Sequence, residues 1–132
     1  MDEATRNLVR DRAGYRCEYC GLHEDDDAYT FHVEHIIARK HDGLDDESNL
    51  ALACQQCNLH KGSNLSGVDP QSGEIVELFH PRQEIWSEHF LFQEYRIVGL
   101  TPCGRATVVV LDMNDLDRIN IREELGFPDR QQ

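Results

Sequence analysis

The residues of this chain that could do chemistry stand close together around fixed landmarks. Glu34 and His35 are adjacent near the end of an apolar run, Asn49 follows a polar loop, and Asn58 comes directly after Cys57. A carboxylate and an amide oxygen suit a hard divalent cation such as Mg2+ or Mn2+, and a neutral imidazole can take a proton from water. His60 lies two residues beyond Asn58 and is an alternative ligand. On a helix the two would point about 200° apart, so one ion would meet only one of them. Arg39, Lys40 and Lys61 flank the set as candidate phosphate contacts, with ordinary surface charge as the competing reading. His32 is read as packing beside this set, and His23 and His41 as solvated.

Something must gather these groups, and the cysteines supply it. Cys17, Cys20, Cys54 and Cys57 form two C-x-x-C pairs, and a fifth cysteine, Cys103, stands apart. Two such knuckles make a four-sulfur cage that suits Zn2+. A disulfide framework fits poorly with an odd cysteine count, and a redox C-x-x-C does not need two pairs. A closed four-cysteine site has no open coordination position, so this zinc is expected to be structural. It would bring the segment bearing Glu34 and His35 near the one bearing Asn58. Cys103, in Thr101-Pro102-Cys103-Gly104, reads as a free thiol in a turn.

The elements follow from pattern. Residues 2–13 read as a helix, capped by Asp2 or Thr5 and ended by Gly14. The acidic run 24–27 reads as a solvated loop. Residues 29–37 (YTFHVEHII) are β-branched and aromatic and read as a strand. Residues 38–46 form a polar loop broken at Gly43, and 56–62 a short helix ended by Gly62. Beyond Gly67 the expected order is a tight turn at 69–73, a strand at 74–79 and one or two helical turns at 84–90. An antiparallel meander over 90–95, 96–100 and 106–113 and a closing helix at 115–125 would follow. His80, Arg82, Trp86 and His89 form a polar-aromatic cluster here that is left outside the site, with Trp86 read as core.

The chain has 132 residues, 39% of them apolar, and 13 Lys+Arg against 25 Asp+Glu, a formal charge of −12. That size suits one domain (1–132), with a zinc-stapled core at 1–66 and an extension at 67–132 packed on it. No apolar run approaches the ~20 residues of a membrane span and no export signal is legible. The expectation is a soluble, cytoplasmic protein that does not engage a membrane. Taken alone, the acidity argues against a polyanionic partner. It is spread evenly, with 7 Lys+Arg against 13 Asp+Glu in residues 1–66 and 6 against 12 in the remainder.

The stretch from Cys17 to Lys61 resembles the HNH endonucleases. CEYC, VEHII, SNLALAC and CQQCNLHKGS stand in the order of that family's pattern of C-x-x-C, acidic residue with His, Asn-Leu, and C-x-x-C-Asn-x-x-Lys. The resemblance covers about a third of the chain; the run GEIVELFHPRQEIWSEHF further resembles a bacterial subgroup of the family. It implies an α+β fold: a ββα-metal core stapled by zinc, here followed by the antiparallel meander and the C-terminal helix. It also implies a metal-dependent hydrolase of phosphodiester bonds in DNA. In the family's terms His35 matches the general base, Glu34 the acidic cation ligand (more often Asp) and Asn49 the residue that braces the loop. Asn58 matches the further cation ligand. The implied cofactors are a structural Zn2+ and a catalytic Mg2+ or Mn2+. A non-catalytic zinc-ribbon binding module and an RNA-cleaving nuclease are the rival readings. The acidity suggests weak intrinsic affinity for DNA, with a partner subunit delivering the chain to it.

Overall fold

A computed structural model describes residues 1–128. Helix α1 (Glu3–Ala13) starts where the Asp2 carboxylate accepts a bond from the Thr5 amide and stops at Gly14, whose φ of 63° is left-handed. Strands β1 (His32–His35) and β2 (Leu50–Ala53) pair antiparallel, with His35 opposite Leu50 and Glu34 opposite Ala51. Cys54 then caps helix α2 (Gln55–Lys61). All four β2 residues are buried, because α1 covers the sheet on one side and the cysteine cage closes its end. Two strands and a helix thus follow one another within 30 residues, from 32 to 61.

The expected strand at 29–37 is real but shorter. It ends at His35 because Ile36 and Ile37 turn to bond with Asn49 rather than with a neighbouring strand. The acidic run is less solvated than its composition suggests. Glu24 accepts from the Phe31 amide and lies 3.4 Å from the Arg10 Nε, and Asp27 lies 3.5 Å from the Arg118 guanidinium.

Beyond α2, hairpin β3 (Ser66–Val68) and β4 (Ile75–Glu77) is followed by the single-turn helix α3 (Trp86–His89). Hairpin β5 (Phe90–Gln93) and β6 (Arg96–Gly99) comes next, then helices α4 (Pro102–Val110) and α5 (Leu116–Leu125). The fold is mixed α and β, built from antiparallel strand pairs and closed by a C-terminal helix. The third strand expected at 106–113 is a correction, since most of that segment belongs to α4. Three consecutive valines suggested a strand, but Thr101 caps the segment through Gly104 and Pro102 sits in the first turn. The supposed turn Thr101–Gly104 is therefore a helix start. Gly104 is needed there, because a Cβ would lie 2.1 Å from the His89 carbonyl oxygen. Cys103 falls in this first turn, half-buried, and burial pushes its thiol up to about 11.

Polar braces tie the second half to the first. Trp86 Nε1 donates to the Tyr19 carbonyl at 2.7 Å, and its ring stacks on Phe90 at 5.0 Å between centroids, half-buried against the core rather than inside it. Arg82 pairs with Glu18, whose other oxygen accepts from the Leu52 amide. Gln56 donates to the Asp112 carbonyl.

Candidate functional site

The four knuckle cysteines are buried, and their sulfurs lie within 4.8 Å of one another, with 3.8 Å between Cys20 and Cys54. A tetrahedron of about 2.3 Å zinc–sulfur bonds has edges of about 3.8 Å, so the donor set fits Zn2+. Burial pushes the Cys17 thiol up, whereas hydrogen bonds, first from Cys17, hold Cys20 down. Arg118 of α5 reaches into the same place: its Nη2 lies 3.4 Å from the Cys54 sulfur and 3.9 Å from that of Cys20. A four-thiolate zinc site carries a net charge of −2, and a buried guanidinium offsets part of it. Neither the spacing of the cysteines nor the helix pattern of α5 signalled this contact.

Glu34 and His35 are neighbours in sequence, but strand alternation sends them to opposite faces of β1. Glu34 points inward, with 4% of its side chain exposed. One oxygen accepts from the Tyr19 hydroxyl and the other lies 3.6 Å from the Lys61 ammonium. Burial raises its pKa, only partly offset by Lys61. Lys61 donates to the Ile36 carbonyl at 2.8 Å and is itself buried. Neither residue therefore occupies the place the sequence suggested: Glu34 is engaged away from His35, and Lys61 is closed off from any phosphate.

His35 faces the other way. Its Nε2 lies 2.7 Å from Asp45 Oδ1, an oxygen that also accepts from Arg39 Nε at 3.0 Å. Its Nδ1 has no hydrogen-bond partner among the described residues. Asp45 was not singled out in the sequence, where it is one of several acidic residues in a polar loop. Only the loop's shape makes it special. Asn49 sets that shape: its Oδ1 accepts from the Ile37 amide, and its Nδ2 donates to the carbonyls of Ile37 and Leu44. Gly43 lets the loop close, since a Cβ there would lie 1.7 Å from the Ile37 carbonyl oxygen. His41 reaches the Ser63 carbonyl at 3.1 Å, so the loop also touches the chain just past α2.

Asn58 lies one helical turn before Lys61, and residues so spaced share a helix face. Because Lys61 is pinned to β1, Asn58 lies on the side of α2 that faces the strand. Its side chain is half-buried and makes no hydrogen bond among the described residues. His60 is turned elsewhere: it is exposed and lines a cleft of about 410 Å³ with Leu59, Tyr29 and Asp117. Arg39, which shares Asp45 with His35, and Lys40 are both exposed. The structure thus brings His35, Asp45 and Arg39 together, with Asn49 bracing the loop that carries Asp45, and turns Glu34 and Lys61 into the interior and His60 toward another cleft.

A second cluster of ligand-type side chains, Glu84, His89 and Cys103, lies in the C-terminal half. It is complete without a cation, because His89 is held by Thr101 at 2.6 Å on one ring nitrogen and by Glu84 at 3.1 Å on the other. No helix among the described residues is long and apolar enough to cross a membrane.

Residues 17–64 match the HNH endonuclease family. The chain is also similar to the Septu protein PtuB of Bacillus thuringiensis, with 28% identity over 106 residues, covering 79% of this chain and 38% of that protein. The chain therefore spans less than half the length of this curated relative. No solved structure matches it.

Proposed function

We propose, from the HNH endonuclease module at residues 17–64, that the chain hydrolyses phosphodiester bonds in DNA with His35 as the general base. The observation that carries this reading is an imidazole nitrogen left free on an otherwise fixed ring, whose anchoring carboxylate is shared with the exposed Arg39. Water attacks phosphorus and gives up its proton to His35. The bond from phosphorus to the 3′-oxygen breaks, and that oxygen is protonated by solvent, leaving a 5′-phosphate and a 3′-hydroxyl. A hard divalent cation, Mg2+ or Mn2+, held by the Asn58 amide oxygen, water and the phosphate would stabilise the charge that grows on the leaving and non-bridging oxygens. Glu34, the cation ligand that the sequence suggested, is not needed in this reading and serves the interior instead. Asn49 braces the loop that faces the base. Arg39 and Lys40 steer the phosphate backbone.

Zinc in the four-cysteine cage is structural in this reading: it holds β1 and α2 together and takes no part in the reaction. With a charge of −12 the chain has little intrinsic attraction for DNA. A partner subunit already bound to DNA would supply it.

The test is cleavage of supercoiled plasmid in Mg2+ or Mn2+ by wild type and by His35→Ala. Wild type should cut. The variant should lose at least about 100-fold in rate while keeping one zinc per chain. Equal cutting by both would refute the assignment of the base, and no cutting by either would favour a binding module. Duplex DNA, single-stranded DNA and RNA compared side by side would fix the substrate.

A further inference from the structure

Resting on that reading of His35, we propose that Asp45 is its positioning residue and that Nδ1, not Nε2, is the nitrogen that accepts the proton from water. What each group can donate decides where the ring proton sits. An ionised carboxylate is an acceptor only, so a 2.7 Å contact with a neutral imidazole requires the hydrogen to be on Nε2. That choice fixes the tautomer. The lone pair then lies on Nδ1, which has no partner among the described residues.

Asp45 is ionised in this setting: hydrogen bonds from His35 and then from Arg39 hold its carboxyl below the usual range. Arg39 shares the same carboxylate oxygen at 3.0 Å, so the carboxylate is held from two directions. The backbone around it is fixed as well. Asn49 bonds to Leu44, the residue before Asp45, and Asp46, the residue after it, caps the short turn Glu47–Asn49. A ring clamped at Nε2 loses the freedom to flip, so Nδ1 keeps one direction. When Nδ1 takes the proton from the attacking water, Nε2–H stays on Asp45, and the positive ring faces a full negative charge. The water becomes the hydroxide that bonds to phosphorus, the bond from phosphorus to the 3′-oxygen breaks, and solvent supplies the proton to that oxygen.

Asp45 is largely exposed, so its replacement should leave the fold intact. The experiment uses the full chain with supercoiled plasmid and Mn2+, comparing wild type, Asp45→Asn and Asp45→Ala, with His35→Ala as the reference for loss of the base. The Asn variant keeps an oxygen acceptor for Nε2–H and should lose about three-fold in kcat, and the Ala variant should lose about ten-fold or more. KM should stay within two-fold in both. In parallel, ¹⁵N spectra of the histidine rings near neutral pH, assigned by loss of the His35→Ala signal, should show the Nε2–H tautomer in wild type and a tautomer mixture in Asp45→Ala. Wild-type kcat in Asp45→Ala, a loss confined to KM, or an Nδ1–H tautomer in wild type would overturn the proposal. If wild type does not cut at all, the hydrolytic reading fails, and an Nε2–H signal that stays unchanged in Asp45→Ala would still overturn the positioning role.

Discussion

The two faces of β1 carry opposite kinds of surroundings. On the inner face Glu34 lies between the Tyr19 hydroxyl and the Lys61 ammonium, with both charged side chains about 4% exposed or less. On the outer face His35 meets an exposed carboxylate and keeps one ring nitrogen open. One peptide bond separates them. The inner set joins the first knuckle, the strand and α2, and its value is structural, because a buried ion pair is costly to break. The outer set is held by a loop that Asn49 braces, and it leaves one ring nitrogen without a partner among the described residues. The lesson is that a two-residue motif on a strand names two residues but places only one on any given face.

That contrast can be broken or sharpened by experiment, beginning with the frame both faces share. Removing zinc, by Cys54→Ser or by a strong chelator, should cost on the order of 10 kcal/mol and abolish the cooperative thermal transition. Because Arg118 contacts the cage from α5, circular dichroism should show both halves unfolding together. A surviving C-terminal half would separate the frame from the extension. Next, Glu34→Ala strands the Lys61 ammonium in the interior and should destabilise by about 3 kcal/mol in urea unfolding. Asn49→Ala removes three hydrogen bonds and should cost about 2 kcal/mol. It should also slow plasmid cleavage several-fold, since it loosens the loop that carries Asp45.

The pH dependence of stability separates the faces again. Burial raises the Glu34 pKa above its ordinary 4.5, so near that value the folded chain holds a proton that the unfolded chain has lost. Stability from this group is therefore greatest below 4.5 and declines as pH rises through the folded value. Glu34→Gln should flatten that decline in urea titrations between pH 4 and 7. An unchanged slope would mean that Lys61 compensates the charge fully. The smallest expected effect is Lys40→Ala, which should raise KM for plasmid by about two-fold and leave the melting temperature unchanged.

Much of this frame was legible in the residues themselves. The cysteine spacing carries metric information, because a metal imposes distances, and the cage follows from it. Asp2 and Gly14 mark the ends of α1 as capping chemistry predicts. Where the reading was incomplete, tertiary partners decided. Val108, Val109 and Val110 favour a strand by type, yet the Thr101 cap and Pro102 start a helix. Glu34 and Lys61 looked available for ligand because sequence shows charge but not direction, and each is answered by the other in the interior. Asp45 was invisible for the converse reason: its partner is ten residues away, across a loop whose shape depends on Asn49 and Gly43.

The claim that the outer face carries the chemistry is tested most directly by the Mn2+ concentration that gives half-maximal plasmid cleavage, measured for wild type, Asn58→Ala and Glu34→Gln at a temperature where all three are folded. Asn58→Ala should raise that concentration about ten-fold or more, and Glu34→Gln should leave it within two-fold of wild type. A rise in Glu34→Gln as large as that in Asn58→Ala would mean that the inner carboxylate serves the cation, and would contradict the division of β1 into a structural and a chemical face.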